Sequence, residues 1–380
     1  MTTTDVRSLR HQVELLDPRS FDHVGRDAGA SSLISGEVLA EIARTDPRIV
    51  VGTADIQFVT HLAEFRLEHP ERLFQFGISE RTMVGAAAGM ASAGLVPYVS
   101  TFAAFLGILG YENIRTDCAY PNLPVRLLAT HTGISMGFFG SSHHATEDIS
   151  ALRAVANLTI LSPSDGPSYA ALLRSTVDRE GPIYFRLGRG RDRDLHDPAD
   201  LIGLEPGQPI GLRTQGRKVV VLATGSMVAP ALDAVDQVNA EAGDDVASVY
   251  DVYSLKPFDI QSVVDTFDDD TVVLTVEEHN VLGGLGSMTQ EFLAERGISN
   301  RVHKHGLQDE YVIVGPPAHL YTYYGLDHAG IAEVVGRLVD RPTDHTPTEA
   351  IWSANDRAAA LQKVRSRSTS MPDKPGGSAS

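Results

Sequence analysis

Short apolar runs return at intervals along this chain: IVVGT (49–53), VRLLAT (125–130), IYFRL (183–187), KVVVLAT (218–224) and TVVLTV (271–276). Each is too short for an ordinary helix and apolar on both faces, so each reads as a strand buried on two sides. Between them lie stretches with helical patterning, at 35–43, 80–92, 104–119, 149–155 and 167–178, and further strands at 96–100 and 158–162. Strand and helix alternation predicts an α/β fold of mostly parallel sheets with helices on both faces, a doubly wound arrangement. The Pro- and Gly-rich stretch 198–216 interrupts the pattern, and a second α/β unit starts at Lys218. The expected organisation is an N-terminal arm (1–28), a first domain (29–197), a linker (198–216), a smaller second domain (217–345) and a polar tail (346–380). The Ser-, Pro- and Gly-rich end of that tail predicts disorder.

A length of 380 residues suffices for two such cores. Apolar content is 42%, yet no run of 18 apolar residues occurs, so no membrane-spanning helix is expected. No basic segment leading into a cleavable apolar one opens the chain, which argues for a cytoplasmic protein. A net charge of −17 argues against nonspecific nucleic-acid binding. The Arg-rich run Arg186 to Arg193 is interrupted by Gly188, Gly190 and Asp192, and it reads as a solvated loop. Cys118 is the only cysteine; it excludes an intrachain disulfide and is expected to pack inside a helix.

Three constellations bear on chemistry. Residues 76–91, FGISERTMVGAAAGMA, place one carboxylate, Glu80, at the start of a helix whose Gly85 and Gly89 suit close approach of another backbone. Glu80 is either a capping acid beside Ser79, favoured by the helix dipole, or a carboxylate waiting for a basic partner. Gly133-Ile134-Ser135-Met136-Gly137 matches the G-x-S-x-G elbow of serine hydrolases, with Ser135 as nucleophile, but the loop-like GFFGSS (137–142) follows where that motif needs a helix. His143, His144, Glu147 and Asp148 form a candidate metal quartet that converges only if one helical turn presents all four.

Together FGISERTMVGAAAGMA, Phe102 and Phe105 in STFAAF, His131 and His143 in HTGISMGFFGSSHHATEDISALR, Arg189 in GPIYFRLGR and EEHNVLGGLGS (277–287) resemble the C-terminal half of transketolase, in the thiamine-diphosphate enzyme superfamily. The resemblance covers about Ser35 to Val339 and implies a pyrimidine-binding domain followed by a transketolase C-terminal α/β domain. In that family a glutamic acid shares its proton with ring N1′ of the cofactor and so favours the tautomer that activates C2; Glu80 falls on that position. Phe102, Phe105 and Ile108 fall on the wall of the aminopyrimidine pocket, and Ile108 stands where a Tyr is usual. The alternative for the two phenylalanines is core packing, and their spacing of three puts both on one helical face in either case. Asp55, at the end of the 49–53 strand, joins the expected cofactor-binding set. His143 falls on the histidine beside the thiazolium, and His131 and Arg189 on ligands of a sugar phosphate.

The resemblance implies a transferase that moves a two-carbon ketol unit from a ketose to an aldehyde. The GDG-to-Asn element that holds diphosphate and metal in the superfamily is missing from this sequence. That implies an N-terminal partner subunit carrying thiamine diphosphate's metal (Mg or Ca), with a dimer of heterodimers as the expected assembly. The beta subunit of a 2-oxo acid dehydrogenase, 1-deoxyxylulose-5-phosphate synthase chemistry and a silent partner subunit are the alternatives. Three departures point to a non-standard substrate: Ser32 replaces an Arg, Val59 a phosphate-binding Ser, and Phe139 an Asp that reads an acceptor hydroxyl.

Overall fold

The computed structural model describes residues 34–190 and 192–340, with 356, 357, 359 and 362. The expected N-terminal arm, Ser32 and most of the expected tail lie outside the described residues. The described residues form two sheets, of seven and five strands. The first comprises β1 (Ile49–Thr53), β2 (Leu73–Gln75), β3 (Val96–Phe102), β4 (Arg126–Thr130), β5 (Thr159–Leu161) and β6 (Ile183–Arg186). These run parallel, and β10 (Ser254–Lys256) joins antiparallel to give the order β10-β5-β6-β4-β3-β1-β2. The second comprises β7 (Ile210–Arg213), β8 (Val219–Ala223), β9 (Ala247–Asp251), β11 (Val272–Asn280) and β12 (Val302–Leu307), in the order β12-β11-β8-β9-β7. Only β7 is antiparallel there.

The apolar runs form buried strands for the reason the pattern gives. Every residue of β1, β3, β4, β6 and β8 is buried, and helices cover both faces. On one face of the first sheet pack α1 (Ser35–Ala43) and α5 (Gly166–Ser175), through Val38, Leu39, Tyr169, Leu172 and Leu173. The other face receives α3 (Glu80–Ser92) and the helical segment 104–119. Along β8, Val219, Val221 and Ala223 face α6 (Val228–Ala242) and α9 (His328–Asp340), while Val220 and Leu222 face α7 (Leu285–Glu295). The second of these faces belongs to a core that runs on into the first sheet, through Leu255, Ile160 and Leu127, so the two units share buried surface. Two short helices complete the numbering, α2 (Ala63–Glu68) and α4 (Asp148–Leu152), with α8 (Pro317–Tyr324) near the C-terminal end.

Three local expectations change. The stretch read as linker carries β7, held to β9 by pairs such as Ile210 with Asp251. Segment 104–119 is helical but wide, with i→i−5 bonds from Gly110 N–H to Phe105 O (3.1 Å) and from Tyr120 N–H to Arg115 O (3.0 Å); such π turns concentrate at functional sites. Phe102 ends β3 instead of opening a helix, because the strand continues two residues past Ser100. Cys118 is buried inside the helical segment, as expected.

Candidate active site

The C-terminal ends of the parallel strands gather most of the residues singled out from sequence, as open α/β sheets do. Asp55 follows β1, Phe102 ends β3, His131 follows β4 and Arg189 lies three residues past β6. Glu80 opens α3 from the same edge and is 8% exposed. It is no partner in a capping motif: the Ser79 hydroxyl donates to Thr82 Oγ1 (2.7 Å), and no side chain caps the helix. Glu80 Oε1 instead accepts a bond from Thr101 Oγ1 (3.3 Å), the residue before Phe102.

Five rings meet at this edge of the sheet. Phe102 and Phe105 have centroids 6.0 Å apart across the strand-to-helix junction, not along one helical face. Phe102 packs on His131 (4.6 Å), and Phe105 meets His143 edge-on (5.0 Å). Phe139 approaches His143 from the other side at 5.0 Å. The loop carrying Phe139 and His143 is closed by a two-residue antiparallel bridge, Gly133 with Ala145, in which both N–H groups donate across.

Electrostatics divide the two histidines. His131 has a left-handed backbone (φ 59°), and its Nδ1 bonds Thr130 Oγ1 (3.0 Å). Burial, with Arg189 adding to it, lowers its pKa to about 3, so it is neutral at pH 7. His143 is partly exposed, its Nδ1 is 2.9 Å from Ser142 Oγ, and burial holds it below the ordinary imidazole value. Arg189 donates to Ser135 O (3.3 Å) and is half buried, which depresses its pKa too. Asp55 is exposed with φ 65°, and its N–H bonds Gln75 Oε1 (2.6 Å). Ile108, Val59 and Phe139 all expose apolar surface; Phe139 is 59% exposed and its neighbour Phe138 66%. Asp55 and Ile108 stand on this edge outside the ring cluster.

The two rival chemistries fare differently from the ring cluster. Ser135 is buried and its hydroxyl donates to Thr132 O (2.7 Å) instead of to an imidazole; residues 137–142 form only short 3₁₀ turns broken at Gly140. The quartet at 143–148 is dispersed. Asp148 is fully buried against Arg186 Nε (3.1 and 3.2 Å) and Tyr184 OH (3.0 Å), His144 Nε2 meets Gly137 O, and Glu147 accepts from Thr146.

Arg186 therefore corrects the reading of 186–193 as solvated loop: it closes β6 and lies in the interior. Its partner is 38 positions away, beyond the reach of a local charge pattern. Sequence reasoning also left Glu277 and Glu278 without individual roles. Glu277 accepts from Leu285 N–H (2.7 Å) and Gly286 N–H (2.9 Å) at the start of α7, and burial outweighs those bonds and raises its pKa to about 7. Glu278 accepts from Ile134 N–H (2.6 Å) and Tyr321 OH (2.7 Å). Two acids ending an apolar strand were the available signal.

Comparison with known proteins identifies the family of the two domains. Residues 29–193 match the transketolase pyrimidine-binding domain, and residues 210–331 match the transketolase C-terminal domain. A putative transketolase C-terminal section from Methanocaldococcus jannaschii is 33% identical over 298 residues, 78% of this chain and 92% of that protein. A 1-deoxy-D-xylulose-5-phosphate synthase from Geobacter sulfurreducens is 34% identical over 88% of this chain, which spans only 53% of that protein. Among solved structures, a split-gene transketolase in an inactive beta4 tetramer is 35% identical, with TM-score 0.74, over 82% of this chain and 99% of that one. The transketolase of Pichia stipitis, at 21% identity and TM-score 0.69 over 83% of this chain and 46% of its own, shares the fold. Fold and relatives converge: this chain belongs to the transketolase family, with that family's pyrimidine-binding and C-terminal domains.

Proposed function

We propose that the chain is the C-terminal subunit of a two-component transketolase-like enzyme, which transfers a two-carbon ketol unit from a ketose to an aldehyde when joined to an N-terminal subunit. The observation that carries this reading is Glu80, a buried carboxylate at the start of α3 that is bonded to Thr101 at the C-terminal end of β3, the strand edge that also carries Phe102. The residues fit the aminopyrimidine end of thiamine diphosphate, the cofactor the family implies. Glu80 offers the carboxyl that ring N1′ requires, and Phe102 and Phe105 offer apolar ring faces to a planar heterocycle. When bound, the cofactor supplies a nucleophilic carbon for cleaving the bond beside a ketose carbonyl and carrying the two-carbon piece.

In this reading Glu80 holds the proton shared with N1′. Neutral His143 both donates to and accepts from substrate oxygens. His131 and Arg189 bind further along the substrate, Arg189 supplying positive charge for an anionic group. Asp55 and Ile108 complete the cofactor wall. The diphosphate and a divalent metal (Mg or Ca) belong to the N-terminal subunit, and a dimer of heterodimers in the cytoplasm is the working assembly. No helix among the described residues is long and apolar enough to cross a membrane. Val59 and Phe139 present apolar surface where the family reads phosphate and hydroxyl, which favours a less polar acceptor.

The test is to mix the chain with its N-terminal partner, thiamine diphosphate and Mg²⁺, and follow ketol transfer together with C2–H/D exchange of the bound cofactor. Turnover is expected from the mixture and not from this chain alone, and Glu80→Gln slows exchange by about 10²-fold. A Glu80→Gln enzyme within a few-fold of wild type would refute the role of Glu80, and tight metal-dependent cofactor binding by this chain alone would refute the division of labour. The identity to 1-deoxy-D-xylulose-5-phosphate synthases supports a second reading, a synthase of that type. Offering the assembled enzyme a 2-oxo acid in place of a ketose donor separates the two.

A further inference from the structure

The loop 133–145 carries both Phe139 and His143, yet its anchorage comes from the second domain. β11 loses register with β12 between Val276 and Asn280, and that irregularity turns Glu278 toward the first domain. Its Oε1 receives Ile134 N–H (2.6 Å) and Tyr321 OH (2.7 Å). Its backbone carbonyl receives Arg186 Nη2 (2.9 Å), and the same nitrogen reaches Ala145 O (3.4 Å) at the other foot of the loop. Next along the strand, Asn280 N–H donates to Thr146 O (2.8 Å). Gly133 has φ 58°, and a Cβ there would run into the Glu278 carboxylate, so the chain passes directly over it. The Ile134 side chain packs in the core of the second domain, not the first.

We propose that Glu278 is a positioning residue for the His143 loop, clamping its first foot to β11 so that the second domain fixes where His143 stands. Because the loop feet are bridged to each other, a clamp on Ile134 also restrains Ala145, two residues from His143. The placement of the clamp follows from the structure alone; its bearing on substrate rests on the proposed role of His143.

The test is hydrogen–deuterium exchange on the full chain, read peptide by peptide. Glu278→Ala removes the acceptor, and exchange across 132–145 is expected to accelerate at least about 10-fold while β8 keeps its protection. Glu278→Gln retains a carbonyl oxygen for both donors and is expected to restore slow exchange. Gly133→Ala pushes the loop off the carboxylate from the other side and should mimic Glu278→Ala. Loop exchange unchanged in both alanine variants would overturn the proposal, as would a Glu278→Gln protein as loose as Glu278→Ala. Should Glu278→Ala loosen β8 as well, Gly133→Ala decides alone: a loosened loop over a protected β8 supports the clamp, and anything else overturns it. In the assembled enzyme Glu278→Ala lowers kcat at least about 10-fold, with Glu278→Gln near wild type. An inactive wild-type mixture whose loop still responds as described would refute the transferase reading and leave the clamp standing.

Discussion

Replacing Asp148 by Ala should be among the more damaging single changes this chain can suffer outside its apolar core. The Asp148 side chain is 0% exposed and its partner Arg186 only 2%, with both carboxylate oxygens bonded to Arg186 Nε and one of them to Tyr184 OH. Burial opposes the Arg186 charge, but Asp148, helped by Glu278, more than compensates and holds the guanidinium above its ordinary value. In Asp148→Ala the cation stays buried, its remaining hydrogen bonds going to the Ala145 and Glu278 carbonyls and the Glu278 side chain supplying the weaker electrostatic support that is left. Loss of a plain buried hydrogen bond costs about 1 kcal/mol, whereas stranding one member of a buried ion pair costs about 3–5 kcal/mol. Neutralising both members, as Asp148→Leu with Arg186→Met, removes the stranded charge and should cost less than either single change. The assay is urea unfolding of wild type, Asp148→Ala, Asp148→Leu, Arg186→Met and the double variant, with midpoints compared at unchanged slope. A single-variant cost below about 1 kcal/mol, or a double variant that loses the sum of the two, would refute the account of a desolvated pair.

Three further outcomes are expected. Phe139→Asp should raise kcat/KM of the assembled enzyme for ribose 5-phosphate relative to a non-hydroxylated aldehyde by about 10-fold or more, the worth of a regained polar partner; an unmoved ratio would show that Phe139 does not face the acceptor. Asp251 ends β9 with its Oδ2 bonded to Ser164 Oγ and 3.6 Å from His196 Nε2, and burial, with Asp165 adding to it, raises its pKa to about 7 against those partners. The folded state then holds a proton between about pH 4 and 7 that the unfolded chain has released, so this group's contribution to stability falls as pH rises through that window; Asp251→Asn should gain on wild type across it by up to about 4 kcal/mol, and a constant difference would count against the shift. Cys118, buried and pushed up to about 12 mainly by burial, should resist a thiol reagent such as DTNB in the native chain and react once urea unfolds it.

The apolar strands were legible because their signal is local: β1, β8, the Leu127–Ala129 centre of β4 and the start of β11 are short, mostly apolar runs of the kind a covered parallel sheet absorbs. Glu80, the two phenylalanines and the two histidines were legible through a motif whose spacing survives in sequence. What stayed hidden depends on partners far along the chain. The three residues of β10 carry no strand signature, and their partner is β5, with Ser254 set against Leu161, 93 positions earlier. The fate of Arg186 was decided by Asp148, and that of Glu278 by Ile134, 144 positions away. A charge read against its sequence neighbours looks solvated; read against the fold, it is a tie between layers.

The small strand β10 also bears on how this chain tolerates being divided. By pairing with β5 it covers what would otherwise be the open rim of the first sheet, with Ser254 set against Leu161. A first domain cut at the 198–216 segment would keep all six of its own strands and still lose that cover, leaving β5, a short run of Thr159, Ile160 and Leu161, free to recruit a neighbouring molecule. Lys256, the last residue of β10, adds to the loss, since its ammonium donates to the carbonyls of Arg153 and Val155 just before β5. The isolated fragment is thus expected to self-associate through that rim, and a peptide or extension that restores residues 254–256 is the remedy the topology prescribes.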